Sequence, residues 1–283
     1  MTPDQSRKAK EIEHSKVRRS ILQGFERLAD THAGSQIHDL QSLIQDRKKF
    51  EHHFSNMKFY SITKSSEEYK NQWLAKRCRR GIKILDFACG SGENALFAAG
   101  CGAEAIGIDI SPEGIANAKR NADRLNVSKN CNFMVMDGEK MDFESNMFDF
   151  AVEYGALHHV DLKAAMAELA RVLKPGAQMI CIEALRHNPL IHAYRKRTPH
   201  LRTEWEVQHI LGIDDLQVVR MFFRKVNVRF FHLSALLLVP LRKTFLFPKL
   251  LPIFNRLDDW LLSSEAIGKY AWIMAIEMSE PIK

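Results

Sequence analysis

Short apolar runs alternate with helix-like stretches through the middle of the chain. The apolar runs that begin at residues 84, 105, 131, 148 and 178 predict five strands, and the stretches after the first, second and fourth predict helices. Strands that alternate with helices indicate a parallel sheet, in which ligands bind beyond the carboxyl ends of the strands. Acids mark those ends in this sequence: Asp86, Asp109, Asp137, Glu153 and Glu183.

The first 80 residues show helical spacing of their apolar positions. Residues 6–30 are charged and amphipathic, and similar patterns follow around residues 40–50 and from residue 65 onward. The segment 54–60 between the last two patterns is aromatic and polar together. A group of helices is therefore expected before the first strand.

The last hundred residues predict two more strands separated by a long apolar segment. Residues 227–231 and 272–278 predict the strands, and residues 234–270 predict a helical insertion with a large apolar face. Proline and basic residues interrupt its apolar runs, so it is shorter than the roughly 20 apolar residues that span a bilayer. Four roles stay open for the insertion: it packs on its own sheet, covers a lipophilic substrate pocket, pairs two protomers or rests on a membrane surface.

The composition indicates one large domain with additions. The chain has 283 residues, of which 46% are hydrophobic, and this is enough to bury one full core. Its five cysteines show no C-x-x-C spacing, so neither a disulfide framework nor a zinc site is expected, and no metal ligands are predicted. Because the N-terminus also lacks a signal-peptide core, the sequence predicts a cytoplasmic protein.

The charge of the chain is unevenly distributed. The formal net charge is +7, with basic residues in excess before residue 81 and after residue 185 and acidic residues in excess between them. Basic flanks suit an anionic substrate, a membrane surface or nucleic acid, although solvated helix faces explain them equally well.

Residues 84–92 have the composition of a strand followed by a tight, ligand-binding turn. Gly90 and Gly92 permit positive φ and close approach of a ligand, and the next helix directs its free N–H groups at the turn. A dinucleotide fingerprint reads G-x-G-x-x-G, whereas here Asp86 precedes a single Gly-x-Gly. The carboxylate of Asp86 would repel a pyrophosphate, and it suits a cationic group instead.

The downstream spacing identifies a family resemblance. Asp109 follows Gly90 by 19 positions, close to the roughly 20 at which an acid accepts hydrogen bonds from ribose hydroxyls. With Asp137, Leu-His-His at 157–159 and Leu-Lys-Pro-Gly at 173–176, residues 84–183 resemble class I S-adenosylmethionine (SAM) dependent methyltransferases. They are most similar to the methyltransferase type 11 group, which includes the quinone-biosynthesis C-methyltransferases.

The resemblance implies a fold and a division of the chain. The implied fold class is α/β, with a Rossmann-like, seven-stranded, mostly parallel sheet that contains one antiparallel strand. An N-terminal helical lid would occupy residues 1–80, and a SAM-binding methyltransferase domain residues 81–283. Within that domain, acceptor-site loops are expected at about 184–225, ahead of the apolar insertion.

The resemblance also implies SAM as the cofactor and assigns residues to it. Asp86 would hold its methionine end, Asp109 its ribose, and Asp137 and Gly138 its adenine. The other predicted cofactor-binding residues are Ala88, which stands where many members have a glycine, and Gly90, Gly92, Ile110 and Glu153.

Methyl transfer requires alignment of the two reactants, and it requires a base only where the acceptor must lose a proton. His158 and His159 follow the fourth predicted strand and are the predicted catalytic residues, with Tyr154 as a third candidate. A histidine titrates near pH 6.5 and can act as a base around neutrality. Alternatively, one of the two histidines caps the next helix or binds a carboxylate.

Five residues are predicted to bind the acceptor. Arg186 and His187, together with Arg195, would clamp a carboxylate or phosphate, or else cap the sheet. Tyr60 and Phe222 would stabilise a carbocation if the acceptor is an alkene.

The sequence after the fourth strand argues against a nucleic-acid acceptor. Adenine-N6 enzymes usually carry an (Asp/Asn)-Pro-Pro-(Tyr/Phe) turn there and cytosine-C5 enzymes a Pro-Cys pair, whereas residues 153–156 read Glu-Tyr-Gly-Ala. We therefore predict methyl transfer to carbon or oxygen of a lipophilic small molecule of the quinone, isoprenoid or polyketide type. Two alternatives stay open: a SAM-binding but inactive partner subunit, and a protein or RNA methyltransferase.

Overall fold

A seven-stranded sheet organises the protein. The computed structural model describes residues 2–31, 50, 52 and 54–283, and the helical pattern predicted at 40–49 lies outside the described residues. The strands stand in the order β3-β2-β1-β4-β5-β7-β6. In chain order they are β1 (Lys83–Phe87), β2 (Glu104–Asp109), β3 (Cys131–Val135), β4 (Phe148–Tyr154), β5 (Leu173–Ala184), β6 (Phe223–Phe231) and β7 (Ile273–Pro281).

The pairing confirms the predicted fold class. Strands β1 to β5 pair in parallel, and β7 runs antiparallel to both of its neighbours, β5 and β6. The order of the strands reverses direction next to β1, so the carboxyl ends of β1 and β4 flank the crevice where ligands bind in such sheets.

Helices cover both faces of the sheet. In chain order they are α1 (Pro3–Thr31), α2 (Lys64–Ala75), α3 (Glu93–Gly100), α4 (Pro112–Arg124), α5 (Leu162–Val172), α6 (Pro189–Arg197), α7 (Glu204–His209), α8 (Leu216–Arg220), α9 (Phe247–Leu261) and α10 (Glu265–Gly268). Two longer 3-10 segments accompany them, Ser55–Ile62 before α2 and Ser234–Leu241 after β6.

Alternate residues of the strands enter two separate cores. Ile84 packs with helices α2, α3 and α4 on one face, and its neighbour Leu85 packs with α5 and α8 on the other. Both residues are completely buried. A sheet covered on both faces needs apolar side chains on both, which explains why its strands read as continuous apolar runs in the sequence.

Strand β5 is longer than its apolar run predicts. The run predicts a strand from Gln178, after a turn at 173–176, whereas the observed strand begins at Leu173. Leu173 already pairs with Phe148, and the register then shifts before Gln178 pairs with Phe150. Gly176 takes a φ of 76° within this shift, so the expected turn is an irregularity inside the strand.

The insertion between β6 and β7 is helical, as predicted, and packs partly on its own sheet. Ala235, Leu236 and Val239 are buried in the core cluster that contains Ile84. Asp258 of α9 is buried and accepts hydrogen bonds from the backbone N–H groups of Leu233, Ser234 and Ala235, at 3.1, 2.6 and 3.2 Å. The carboxylate of Asp258 therefore ties α9 to the start of the 3-10 segment.

The opposite face of the insertion carries large apolar side chains into solvent. Phe245, Ile253 and Trp260 are 75%, 61% and 72% exposed. Across the described ranges, no helix combines the length and the hydropathy needed to cross a membrane.

We expect Asp258→Ala to destabilise the protein by about 3 kcal/mol, because three partly or fully buried N–H groups lose their acceptor. Asp259→Ala is the matched control, since its exposed ion pair with Arg229 is worth less than about 1 kcal/mol. Urea unfolding of both variants measures the difference. Equal stability of the two would show that Asp258 does not anchor the insertion.

Candidate functional site

The turn between β1 and α3 is held by a carboxylate from the next strand. Asp109, the last residue of β2, accepts hydrogen bonds from the N–H groups of Gly90 and Ser111, both at 2.8 Å. Gly90 adopts a φ of 55°, and a Cβ there would lie only 3.4 Å from the Arg19 guanidinium. Gly90 therefore supplies the left-handed turn and lets the Arg19 guanidinium approach it closely.

A cavity of about 360 Å³ opens above this turn, and we call it the first cavity. Its volume falls in the range of small-molecule sites, about 300–1,000 Å³. Six of the nine predicted cofactor-binding residues line it, namely Ala88, Gly90, Asp109, Ile110, Asp137 and Gly138. They come from the ends of β1, β2 and β3, so the structure brings these six together at the predicted edge of the sheet.

Helix α1 covers the first cavity. Lys8 donates to Asp137 at 2.7 Å, and Arg7 donates to Glu139 at 2.7 Å. Farther along the helix, Arg19 donates to the Ser91 hydroxyl at 3.0 Å. The helix thus contributes cations at both ends of the cavity.

The other three predicted cofactor-binding residues lie outside the cavity. Asp86 is completely buried behind the turn, where it accepts hydrogen bonds from Asn94 and from the N–H of Ala95 in the first turn of α3. Burial raises the pKa of Asp86 to about 7, despite these bonds. The expectation that Asp86 holds the methionine end is therefore corrected: its carboxyl group faces α3.

Gly92 and Glu153 also have structural positions. A Cβ on Gly92 would lie 2.9 Å from the ring of Phe133, so this glycine is required for packing between β3 and the turn. Glu153 is completely buried below the end of β4 and lines neither cavity. The predicted contacts of Gly92 and Glu153 with the cofactor are both corrected, because neither residue reaches the first cavity.

A second cavity of about 210 Å³ adjoins the first. The two share the lining residues Arg18, Tyr154, Gly155 and His159, so they meet where β4 ends. The second cavity has apolar walls and polar groups together; its other lining residues include Phe59, Tyr60, His158, Glu183, Ile191, Tyr194, Arg195, Arg202, Glu206 and Trp272.

His158 is held by a pair of buried carboxyl groups. Its Nδ1 lies 2.8 Å from Glu183, which also accepts the N–H of Leu157 at 2.6 Å. Burial raises the pKa of Glu153, and the neighbouring Glu183 raises it further. Burial also disfavours the charge on Glu183, but His158 and the neutral Glu153 outweigh that effect and lower the pKa of Glu183.

This arrangement fixes the imidazole of His158. Glu153 is the protonated member of the pair and Glu183 the ionised one, so the Nδ1 of His158 carries a proton toward Glu183. The Nε2 of the ring faces the second cavity, where it lies 4.0 Å from Oε1 of Glu206, and it is the acceptor nitrogen when the ring is neutral. The same logic orients a histidine through a buried carboxylate in hydrolytic triads.

His159 has a different carboxylate partner, supplied by α1. Its Nδ1 lies 2.9 Å from Glu11, which also accepts a hydrogen bond from Thr203. Burial lowers the pKa of His159, but Glu11 and the nearby Glu206 outweigh it, so that the pKa is raised overall. His159 lines both cavities, and near neutrality it carries more positive charge than an ordinary histidine.

The predicted acceptor residues are divided by the structure. Tyr60 lines the second cavity, with its ring 5.9 Å from that of Trp272. Arg186 instead pairs with Asp214 and Asp215, and His187 lies 3.9 Å from Asp214, so neither lines a cavity. The expected role of Arg186 and His187 as a clamp for the acceptor is corrected, because both side chains contact aspartates that follow α7.

Phe222 does not reach the site either. It precedes Phe223, which pairs with Pro281 at the end of β7, and Ser279 of β7 pairs with Gln178 near the start of β5. Phe222 is thus at the edge of the sheet opposite both cavities, and its predicted contact with the acceptor is corrected. Across the described part of the chain, no group of three or more His, Cys, Asp or Glu side chains could hold a metal ion.

Several residues of the site have no signal in the sequence. Glu11, Arg18 and Arg19 come from α1, and Arg202 and Glu206 come from the segment around α7. Helical spacing predicts α1, but it does not predict which of its polar residues face the sheet. Arg195, the third residue of the expected clamp, does line the second cavity.

Comparisons with known proteins match the central part of the chain. Residues 85–181 match the family model described as a methyltransferase domain. The ubiquinone/menaquinone biosynthesis C-methyltransferase UbiE of Rickettsia typhi is 34% identical over 122 residues, which cover 41% of this chain and 49% of that protein. The sterol 4-C-methyltransferase strm-1 of Caenorhabditis elegans is 29% identical over 137 residues, with coverage of 48% and 40%. The chain thus spans about half the length of the curated relatives it matches.

Solved structures share the fold over a larger part of the chain. The MccD protein superposes with a TM-score of 0.54 and 18% identity, covering 76% of this chain and 97% of that one. A geranyl diphosphate C-methyltransferase from Streptomyces coelicolor A3(2) superposes with a TM-score of 0.50 and 14% identity, covering 76% of each chain. At these identities the likeness concerns the fold.

Proposed function

We propose, from the premise that residues 85–181 form a class I SAM-dependent methyltransferase domain, that the protein methylates carbon or oxygen of a lipophilic small molecule. Quinone, isoprenoid and polyketide acceptors are the classes we expect. One observation carries the proposal: a cavity at the glycine turn meets a second, partly apolar cavity at Tyr154, Gly155 and His159. Two adjoining cavities suit two reactants that must be aligned at one point.

The first cavity fits SAM. Gly90 lines the cavity at the turn, Asp109 presents a carboxylate to the ribose position, and Asp137 and Gly138 lie at the end of β3 for the adenine. Arg19, beside the N-terminus of α3, is a suitable partner for the carboxylate of the methionine end. When bound, SAM supplies a methyl group that is activated by the positive charge on sulfur.

We assign the role of base to His158. The ionised Glu183 holds the Nδ1 proton, and the lone pair on Nε2 is available to an acceptor hydroxyl or acidic C–H in the second cavity. His159 and Tyr154 lie at the junction of the cavities, where they orient the acceptor. The partly apolar walls, which include Phe59, Ile191 and Trp272, exclude water from the reacting groups.

We further propose that the insertion contacts an anionic membrane surface. Its exposed apolar side chains lie on one side of α9 and the turn before it, as in helices that lie in the interface of a bilayer. Cationic residues flank them, and these suit anionic lipid headgroups: Arg242, Lys243, Lys249 and Arg256. A lipophilic acceptor would be available at such a surface.

We expect Asp109→Ala to weaken binding of S-adenosylhomocysteine at least about tenfold, because the ribose loses an acceptor and the turn loses two hydrogen bonds. Calorimetric titration measures the affinity. Asp123→Ala, on the exposed side of α4, is the control, and we expect it to retain the wild-type affinity for S-adenosylhomocysteine. Unchanged affinity of Asp109→Ala would contradict the assignment of the first cavity to SAM.

We expect His158→Ala to lower turnover about a hundredfold and Glu183→Gln to lower it less, with affinity for S-adenosylhomocysteine unchanged in both. Turnover is measured on whichever member of a panel of quinols, isoprenoids and phenols the wild-type protein methylates. His192→Ala, exposed on α6, is the control. Full activity of His158→Ala would contradict the role of His158 as the base. Failure of the wild-type protein to methylate any acceptor of the panel would count against methyl transfer itself.

We expect the protein to co-sediment with vesicles that contain phosphatidylglycerol and much less with pure phosphatidylcholine vesicles. Ile253→Ser combined with Trp260→Ser should abolish this binding, since both side chains are exposed on α9. Leu125→Ser removes an exposed leucine just after the end of α4 and serves as the control. Concentration-dependent dimerisation that the double variant abolishes, without vesicle binding, would assign the face to a second copy instead.

A further inference from the structure

Three arginines from separate segments line the second cavity. Arg18 belongs to α1, Arg195 to α6, and Arg202 to the turn before α7. Arg202 has a carboxylate partner, because its Nε lies 3.3 Å from Glu206. Within the described residues, the ion pairs of this cavity do not extend to Arg18 or Arg195. Two of the three guanidinium groups therefore line the cavity without a direct ion pair among the described residues, although Glu206 lies near enough to both to raise their pKa.

Arg195 is held in place by a backbone group. Its guanidinium donates to the carbonyl oxygen of Leu185 at 2.9 Å, which fixes its direction while using few of its five N–H donors. Burial, together with the nearby Arg202, lowers the pKa of Arg195 to about 10, and Glu206 and Glu183 only partly oppose this shift. The group is still protonated at neutral pH, so the cavity contains a positive charge that no direct ion pair among the described residues offsets.

Arg18 shows the same lack of compensation at the junction of the two cavities. Its guanidinium lies 5.0 Å from the centre of the Phe54 ring, an arrangement that orients the group but does not neutralise it. Burial lowers the pKa of Arg18, and Arg202 and Arg19 add to that effect. Two poorly solvated cations therefore lie on one cavity.

Two cations of α1 that line the first cavity are paired with carboxylates. Arg7 and Lys8 of the same helix contact Glu139 and Asp137. The two carboxylates of the second cavity are likewise engaged, Glu206 by Arg202 and Glu183 by His158. Among the described residues that line the second cavity, Arg18 and Arg195 are thus the arginines outside its ion pairs.

A buried charge without a partner costs free energy that a ligand of opposite charge recovers. The planar fork of a guanidinium matches the oxygens of a carboxylate or phosphate. Phe59, Ile191 and Trp272 on the other walls match an apolar body. We propose, given the proposed function, that the acceptor is amphiphilic: a lipophilic body bearing a carboxylate or phosphate that Arg18 and Arg195 bind in the second cavity.

The test uses three ten-carbon probes titrated calorimetrically into the protein loaded with S-adenosylhomocysteine. Decanoate and decyl phosphate carry the two candidate anions, and 1-decanol carries neither. We expect at least one anionic probe to bind ten times more tightly than decanol, and the better of the two identifies the anion. Arg195→Gln should lower the affinity for that probe at least tenfold and leave the affinity for decanol unchanged. Arg197 is exposed two residues farther along α6, and Arg197→Gln should change neither affinity.

Arg18→Gln gives an independent measurement from another element, should Arg195→Gln disturb the loop that contains Leu185. Equal binding of anionic and neutral probes, or anion binding that survives both substitutions, would overturn the proposal. The loading step separates this result from the proposed function. A protein that binds S-adenosylhomocysteine but not the anions contradicts only the anion site, and a protein that fails to bind S-adenosylhomocysteine contradicts the function.

Discussion

Burial of both faces of the sheet is the constraint on which the site depends. Strands β1, β2 and β4 lie between two apolar cores, so a carboxyl group has only the strand ends at which to meet solvent or a ligand. Acids that stay within the cores must find partners there. Asp86 does so at the start of α3, and Glu153 does so by accepting a hydrogen bond from the N–H of Ala156, while burial raises its pKa. The polar groups that remain converge on the two cavities.

Much of this arrangement could be predicted from the sequence. The apolar runs identified all seven strands, and the spacing from Gly90 to Asp109 identified the carboxylate that holds the turn. The direction of each side chain at a strand end could not be predicted in the same way. The carboxyl group of Asp86 faces α3 because Asn94 and the N–H of Ala95 donate hydrogen bonds to it there. Phe222 lies at the edge of the sheet opposite the cavities, because β6 begins at that edge. Such facts depend on three-dimensional neighbours.

The contacts made by α1 could not be predicted from the sequence either. His159 meets Glu11 across 148 positions of sequence, and Lys8 meets Asp137 across 129. Periodicity reports which face of a helix is apolar, but not where that helix docks. One helix thus reaches the predicted adenine end, the glycine turn and the junction of the cavities, so the electrostatics of the whole site depend on its position. Its cations also explain why a predominantly acidic strand edge suits a zwitterionic cofactor.

The insertion has a consequence for how this fold can diversify. Phe231 and Ile273 are directly paired, so the chain leaves and re-enters the sheet at neighbouring points. The entropic cost of closing a loop rises only slowly with its length. The connection between β6 and β7 therefore tolerates segments of very different lengths. The segment is tied down by Asp258, by the close packing of Gly268 on Phe230, and by Ala235, Leu236 and Val239, which enter the core that contains Ile84. Its opposite face is the exposed one, so surface properties can evolve on that face without altering the strand ends that form the site.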